Sequence, residues 1–320
     1  MDELDLIRSF RAHTAPPSAA ARARARRAWA PRERRRWSGA PIRRLALGAG
    51  ALAVAVTVGL ALLGGDDGRL SAGDARAAET LRSAASQAEA HGLRAPRPGE
   101  HVYLRSLQAQ RRSAGGYSWF ERSTRESWMG ADGALRTRVT ARPIAFAGAA
   151  ARAGWEAAGR PRLAELPAVE AHRFPTAGSQ VIPFGSSALT YSQLLALPTD
   201  PAELYGRLRA AAAEGGGDSV EDETFTIVSD VMRFVPLPGE LRAAFFRAAA
   251  LIPGIGYSGQ ARDLAGRAGM AIWFEDKSGR TTLVFDRDTH RLLGSRDGSL
   301  FAASFMQEGI TRSDRERPAP

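Results

Sequence analysis

The chain of 320 residues contains no cysteine, and only one of its 44 basic residues, Lys277, is a lysine. Without thiols, disulfides, cysteine-ligated zinc and thiol catalysis are excluded, so an exported fold would be held by packing alone. Alanine and glycine are abundant, and together with the scarcity of lysine they point to a GC-rich bacterial coding sequence rather than to a physical need for guanidinium. Histidine is also sparse. His91, His101, His172 and His290 follow the N-terminal region with wide spacing and no Glu-x-x-His or His-x-x-x-His pair, so no metal or catalytic cluster is expected. Asp286 and Asp288, with Glu275 or Asp276 nearby, lack the regular oxygen spacing of a calcium loop and read as a hairpin turn. Ser186, Ser187 and Ser192 lie in no Gly-x-Ser-x-Gly context, which leaves nucleophilic catalysis without support. Gly254-Ile255-Gly256 follows a helix pattern instead of preceding one, the wrong order for a phosphate cradle. The sequence thus predicts no catalytic residue, no metal and no cofactor. It names no ligand either.

What it does contain is one long apolar run. Residues 45–63 (LALGAGALAVAVTVGLALL) carry no charge, and the Thr57 hydroxyl is their only polar side-chain group. As a helix the run spans roughly 28 Å, close to the ~30 Å hydrocarbon core of a bilayer. Twelve arginines precede it against Asp2, Glu3, Asp5 and Glu33, so residues 1–44 hold +8 of the +10 net charge. Eight arginines lie within twenty residues upstream; downstream Arg69, Arg76 and Arg82 are offset by Asp66, Asp67, Asp74 and Glu79. The positive-inside rule places residues 1–44 in the cytosol and the chain after the span outside. A 44-residue leader and a 19-residue apolar core are too long for a cleaved signal ending at Ala75-Arg76-Ala77. Arg43-Arg44 has Ile42 where a twin-arginine signal has Ser or Thr. A retained anchor is expected. Beside a membrane span the arginine cluster reads as an orientation signal held near anionic lipid, and no nucleic-acid partner is expected.

Residues 1–12 place Leu4, Ile7 and Phe10 at helical spacing; residues 13–44 are too poor in large apolar side chains to bury a core and read as a mostly disordered tail. Trp29 and Trp37 suit the inner membrane interface. Residues 64–73, with Gly64, Gly65 and Gly68, read as a flexible tether. A helix is predicted over residues 74–91, then strands over 101–108, 117–129 and 134–140, the last two joined by a hairpin at Ala131-Asp132-Gly133. Residues 143–190 give no pattern. Asp200 and Pro201 mark a helix start with Glu203 as a capping-box partner. That helix runs to about residue 214, and two more are predicted over 220–234 and 238–251. Strands return over 257–263, 270–275, 281–286 and 291–295. The predicted class is α+β, with an extracytoplasmic antiparallel sheet and helices over residues 74–310 and a disordered C-terminus over 311–320.

At several of these stretches the chain resembles an uncharacterised family of actinobacterial single-pass membrane proteins. The likeness rests on the Met-Asp-Glu-Leu start, the arginine-rich lead into one span, PRPGEHVY (96–103), LPTDPAEL (197–204), LIPGI (251–255) and FDRDTHRLLG (285–294). Some members of that family are encoded beside extracytoplasmic-function sigma factors, so the resemblance implies a link to anti-sigma-like regulation, with a sigma factor or other cytosolic protein bound by residues 1–44. The departure is plain: a zinc-binding anti-sigma domain needs a His and Cys pattern that this chain lacks.

Aromatic residues crowd the two predicted sheets, with Tyr103, Tyr117, Trp119, Phe120 and Trp128 in the first and Trp273, Phe274 and Phe285 in the second. Core packing accounts for most of them; an apolar groove for a lipid-like or peptide ligand is the alternative, by analogy with half-barrel envelope carriers. The functional expectation is a non-enzymatic binding or sensing module on a membrane anchor, coupled to sigma-factor regulation. The alternative is an anchored envelope carrier of lipid or peptide.

Overall fold

A computed structural model describes residues 72–114, 116–163, 169–174, 182–214, 219–276 and 279–319. The expected tail, span and most of the tether lie outside the described residues. Among the described residues, no helix is long and apolar enough to cross a membrane.

Helix α1, Ala72–His91, starts with Asp74 in its first turn, favourable at the positive end of the helix dipole, and buries Ala77, Leu81, Ala84, Ala85 and Ala88 along one side. Small side chains on this stripe let another helix approach closely. That helix is α6, Gly239–Ala249, and the contact is so tight that a Cβ on Gly239 would lie 2.2 Å from the Ala88 carbonyl oxygen. Between them come α2 (Ala149–Ala157), α3 (Tyr191–Leu195), α4 (Pro201–Glu214) and α5 (Val220–Phe234). The predicted cap of α4 is present: Asp200 Oδ1 accepts from the amides of Ala202 and Glu203 at 3.0 and 2.9 Å. Ser219 caps α5 in the same manner, accepting from the Asp222 amide at 3.1 Å.

The strands are β1 (His101–Ala114), β2 (Tyr117–Gly130), β3 (Leu135–Phe146), β4 (Val169–Phe174), β5 (Ile182–Phe184), β6 (Ser187–Leu189), β7 (Gly256–Arg262), β8 (Ala268–Asp276), β9 (Gly279–Phe285), β10 (Leu292–Asp297) and β11 (Phe301–Thr311). Nine of them form one sheet in the order β4-β3-β2-β1-β11-β10-β9-β8-β7, and every neighbouring pair is antiparallel. β5 and β6 make a separate hairpin. The α+β class with a large antiparallel sheet is therefore correct. The hairpin at Ala131-Asp132-Gly133 is also present, with Gly133 in the left-handed region at φ 80°.

Helices α1, α4, α5 and α6 pack on one face of the sheet. Their shared core includes Phe225, Val228, Phe245 and Phe246 from the helices, with Ile272, Leu283, Phe285, Met129 and Leu135 from the strands. α2 covers the far end of β2, where Tyr117, Trp119 and Leu163 form a second, small core with Trp155 and Phe146 packed on it.

Three sequence expectations need correction. Residues 143–190 hold structure, namely the end of β3, then α2, β4, β5 and β6. No strand was expected after residue 295, yet β11 lies between β1 and β10 in the sheet. Its sequence, FAASFMQEGIT, mixes small, polar and apolar residues and alternates poorly; its two neighbours, more than its own pattern, make it a strand. Residues 311–320 were expected to be disordered, but the described part of that stretch lies back across the outer sheet face. Trp128 Nε1 donates to the Glu316 carbonyl at 2.6 Å, and Arg317 donates to Glu126 through Nε at 2.6 Å and Nη2 at 2.9 Å. Gln307 Nε2 donates to the Pro318 carbonyl at 3.0 Å. A buried carboxylate and a buried indole both need partners, and this strap supplies them.

Candidate functional site: a cleft where the sheet splits

The strands are unequal in length, and this creates the site. β10 pairs with β11 only from Gly294↔Ser304 to Asp297↔Phe301, whereas β1 follows β11 to His101↔Thr311. From Phe305 onward β11 therefore has a strand neighbour on one side only. Arg267 staples the point of separation: its Nη2 donates to the carbonyls of both Leu293 and Phe305 at 2.9 Å. The buried Asp263 carboxylate holds that guanidinium, accepting from Arg267 Nε at 2.7 Å.

Two cavities lie in the split. The first, about 260 Å³, has an apolar wall of Leu104, Met232, Val235, Pro236, Leu292 and Phe305. The second, about 220 Å³, is lined by His91, Gly92, Phe246 and His290 among others. Arg242, Arg291, Leu292 and Glu308 border both. Arg242 grips Glu308 with two bonds, Nη1 to Oε1 at 2.9 Å and Nη2 to Oε2 at 2.8 Å, and also donates to the Leu237 carbonyl at 3.2 Å. Burial pushes the Glu308 carboxyl upward, but the facing Arg242, helped by Arg291, outweighs it and leaves the pKa below the ordinary carboxylate value. Glu308 is thus ionised at neutral pH, and the cleft holds a fixed ion pair beside an apolar wall.

The turn from β9 to β10 brings His290 here. Asp286 Oδ1 accepts from the Asp288 amide at 3.1 Å, the Thr289 amide at 2.9 Å and the Thr289 hydroxyl at 3.0 Å. These bonds, led by the Thr289 amide, lower the Asp286 pKa. They also force His290 into the left-handed region at φ 56°. Asp286 thus serves the turn, as the hairpin reading expects, while Glu275 pairs with Arg280 elsewhere. Among the described residues no three His, Asp or Glu side chains gather as a metal site.

His91, at the end of α1, and His290 both line the second cavity; sequence spacing gave no sign of it. His101 and His172 lie elsewhere, His101 on β1 with Nδ1 buried and unpartnered, and His172 on β4. Ser187 donates to the Phe184 carbonyl at 2.9 Å in the β5–β6 turn, and Ser192 lies 3.1 Å from the Thr190 hydroxyl at the start of α3. Gly256 is a packing glycine, because a Cβ there would lie 2.3 Å from the Trp273 ring.

The aromatic residues divide among separate packings. Tyr103 and Trp128 pair at 5.3 Å beneath the strap, and Tyr117 and Trp119 at 5.9 Å beside α2. Phe285 packs edge-on to Phe246 at 5.5 Å, Phe274 neighbours Phe225 at 6.4 Å, and Trp273 carries the Arg280 guanidinium at 4.1 Å. None of the eight predicted aromatics borders either cavity. No protein-family model, no curated protein and no solved structure matches this chain.

Proposed function

We propose that the chain is a single-pass bacterial membrane protein. Residues 1–44 are cytosolic, residues 45–63 cross the bilayer, and the α+β domain lies outside as a non-enzymatic binding and sensing module. The observation that carries the binding part is the split-sheet cleft, where an apolar wall adjoins a fixed Arg242–Glu308 ion pair. Such a site suits a small amphiphile, with an apolar part to bury and a polar part to orient. A cavity of about 260 Å³ lies just under the usual ligand-site range and takes a short chain or one branch of a longer one. The arginine-rich tail and the family resemblance support coupling of residues 1–44 to a sigma factor or other cytosolic protein. The second reading, an anchored envelope carrier, is favoured by the same cleft and needs no cytosolic partner.

The two readings separate in a pull-down from membranes. Full-length protein is compared with a variant lacking most of residues 1–44 but keeping enough arginine to hold topology, and bound proteins and lipids are identified by mass spectrometry. A cytosolic partner lost with the tail supports regulation. Lipid retained by both forms, with no cytosolic protein bound by either, supports the carrier. Neither protein nor lipid above background refutes both.

A further inference from the structure

Among the described residues, none supplies a counter-charge to Arg125 on β2. Alternation along β2 sends Ser123, Arg125, Ser127 and Met129 to the helix-facing side, where Met129 joins the main core; Glu126 and Trp128 face the strap on the other side. Register places Ser106 of β1 and Val139 of β3 directly opposite Arg125. The floor around it is hydroxyl-rich and buried, with Ser106, Ser123, Ser127 and Thr137 between 3% and 6% exposed. Arg125 itself keeps only part of its surface in solvent.

Burial alone lowers the Arg125 pKa, and no neighbouring charge contributes. Among the described residues no carboxylate or carbonyl accepts a hydrogen bond from it. Glu121, on the same face, is occupied by Arg112 Nε at 2.8 Å. Glu170 holds the register position beyond Val139, two strands away. A desolvated guanidinium with no partner is costly to keep, which makes it a candidate for function rather than for stability.

Its place in the sheet relates it to the cleft. Phe305 on β11 and Arg125 on β2 are both opposite Ser106, so they share one row across three strands, about 10 Å apart at strand spacing. Leu104, two residues before Ser106, lines the same cavity as Phe305. We propose that Arg125 is the head-group site of the cleft's ligand, binding the phosphate or carboxylate of an amphiphile whose apolar part enters the cavity at Leu104 and Phe305. The guanidinium offers a two-pronged set of donors to an oxyanion, and the Ser123 and Thr137 hydroxyls flank it. The inference rests on the cleft being a ligand site.

The test uses full-length protein in phosphatidylcholine nanodiscs, titrated calorimetrically with dihexanoyl phosphatidic acid, dihexanoyl phosphatidylcholine and inorganic phosphate. Arg125→Gln should weaken phosphatidic acid and phosphate at least tenfold, Arg125→Lys should retain part of the affinity, and ligand-free melting of either variant should stay at or above wild type. Met306→Trp, on the exposed rim of the cavity, should weaken phosphatidic acid but leave phosphate unchanged. Wild-type binding of phosphatidic acid that Met306→Trp abolishes and Arg125→Gln leaves intact would overturn the head-group assignment while the cleft stands. Phosphate binding as tightly as phosphatidic acid would overturn the amphiphile. A lower melting temperature for Arg125→Gln would make the residue structural, and no binding of any probe would remove both the cleft reading and this one.

Discussion

Replacing Arg317 by alanine should loosen the C-terminal strap by a predictable amount. Glu126, 5% exposed, accepts three hydrogen bonds: two from Arg317 and one at 2.8 Å from the Tyr103 hydroxyl. Removing the guanidinium leaves the carboxylate with the phenol alone. Hydrogen bonds to a charged group contribute about 1.5–3 kcal/mol, but Arg317 is 57% exposed and its pairing is screened by solvent, so the expected loss is about 1–2 kcal/mol. For a domain of this size that lowers Tm by roughly 2–8 °C. The sign with pH follows from the shift. Burial raises the Glu126 carboxyl, but Arg317 and Tyr103 together bring it below its ordinary 4.5. A depressed acid gives stability above its unfolded pKa and loses it as pH falls through the folded value. The gap between wild type and Arg317→Ala should therefore be full at pH 7 and close below about 4.5. Thermal unfolding of both proteins at pH 7 and pH 3.5, followed by Trp fluorescence, reads it directly, since Trp128 lies under the strap. Equal Tm values at pH 7, or a gap that persists unchanged at pH 3.5, would refute the strap as a stabilising ion pair.

Phe285→Ala removes a fully buried ring from the main core and should cost about 3–5 kcal/mol in urea unfolding; a loss under 1 kcal/mol would mean the core is not centred there. Gly239→Ala inserts a methyl 2.2 Å from the Ala88 carbonyl, forcing α1 and α6 apart at a cost of about 1–3 kcal/mol, and unchanged melting would refute the close crossing. The cysteine-free background makes topology measurable: Ser299→Cys in intact cells should react with a membrane-impermeant maleimide, whereas Ser38→Cys should react only after lysis. Reversed labelling would invert the proposed orientation.

Much of the fold was legible because its signals are local. Asp200 and Pro201 announce α4, and an Asp-Gly turn announces the β2–β3 hairpin, each within a few residues. β11 was not legible because its strand character is conferred by β1 and β10, which lie far from it in sequence. Residues 143–190 failed for a related reason. Their helix α2 is only nine residues long, buries no residue fully and is positioned by the aromatic patch of Tyr117, Trp119 and Phe146. The strap was equally hidden, since a tail of Arg, Asp, Glu and Pro looks solvated until Glu126 and Trp128 are seen to need it.

The site was less legible than the fold because no motif builds it. Its geometry follows from a mismatch of lengths: β10 has six residues and β11 has eleven, so part of β11 outruns its neighbour. An open stretch of strand in a sheet interior must be filled, and β10 could fill it only if it began earlier, with residues 286–291 continuing the strand instead of turning. Asp286 fixes that turn with three hydrogen bonds, so β10 starts at Leu292 and the gap is permanent. Side chains border it instead, the Arg242–Glu308 ion pair beside Leu104, Leu292 and Phe305. A groove made in this way is apolar where core positions were left uncovered and charged where an ion pair replaced a missing strand. It needs no conserved-looking cluster of histidines or carboxylates, and for that reason residue types and spacings pointed to no chemistry while the strand register pointed to a place.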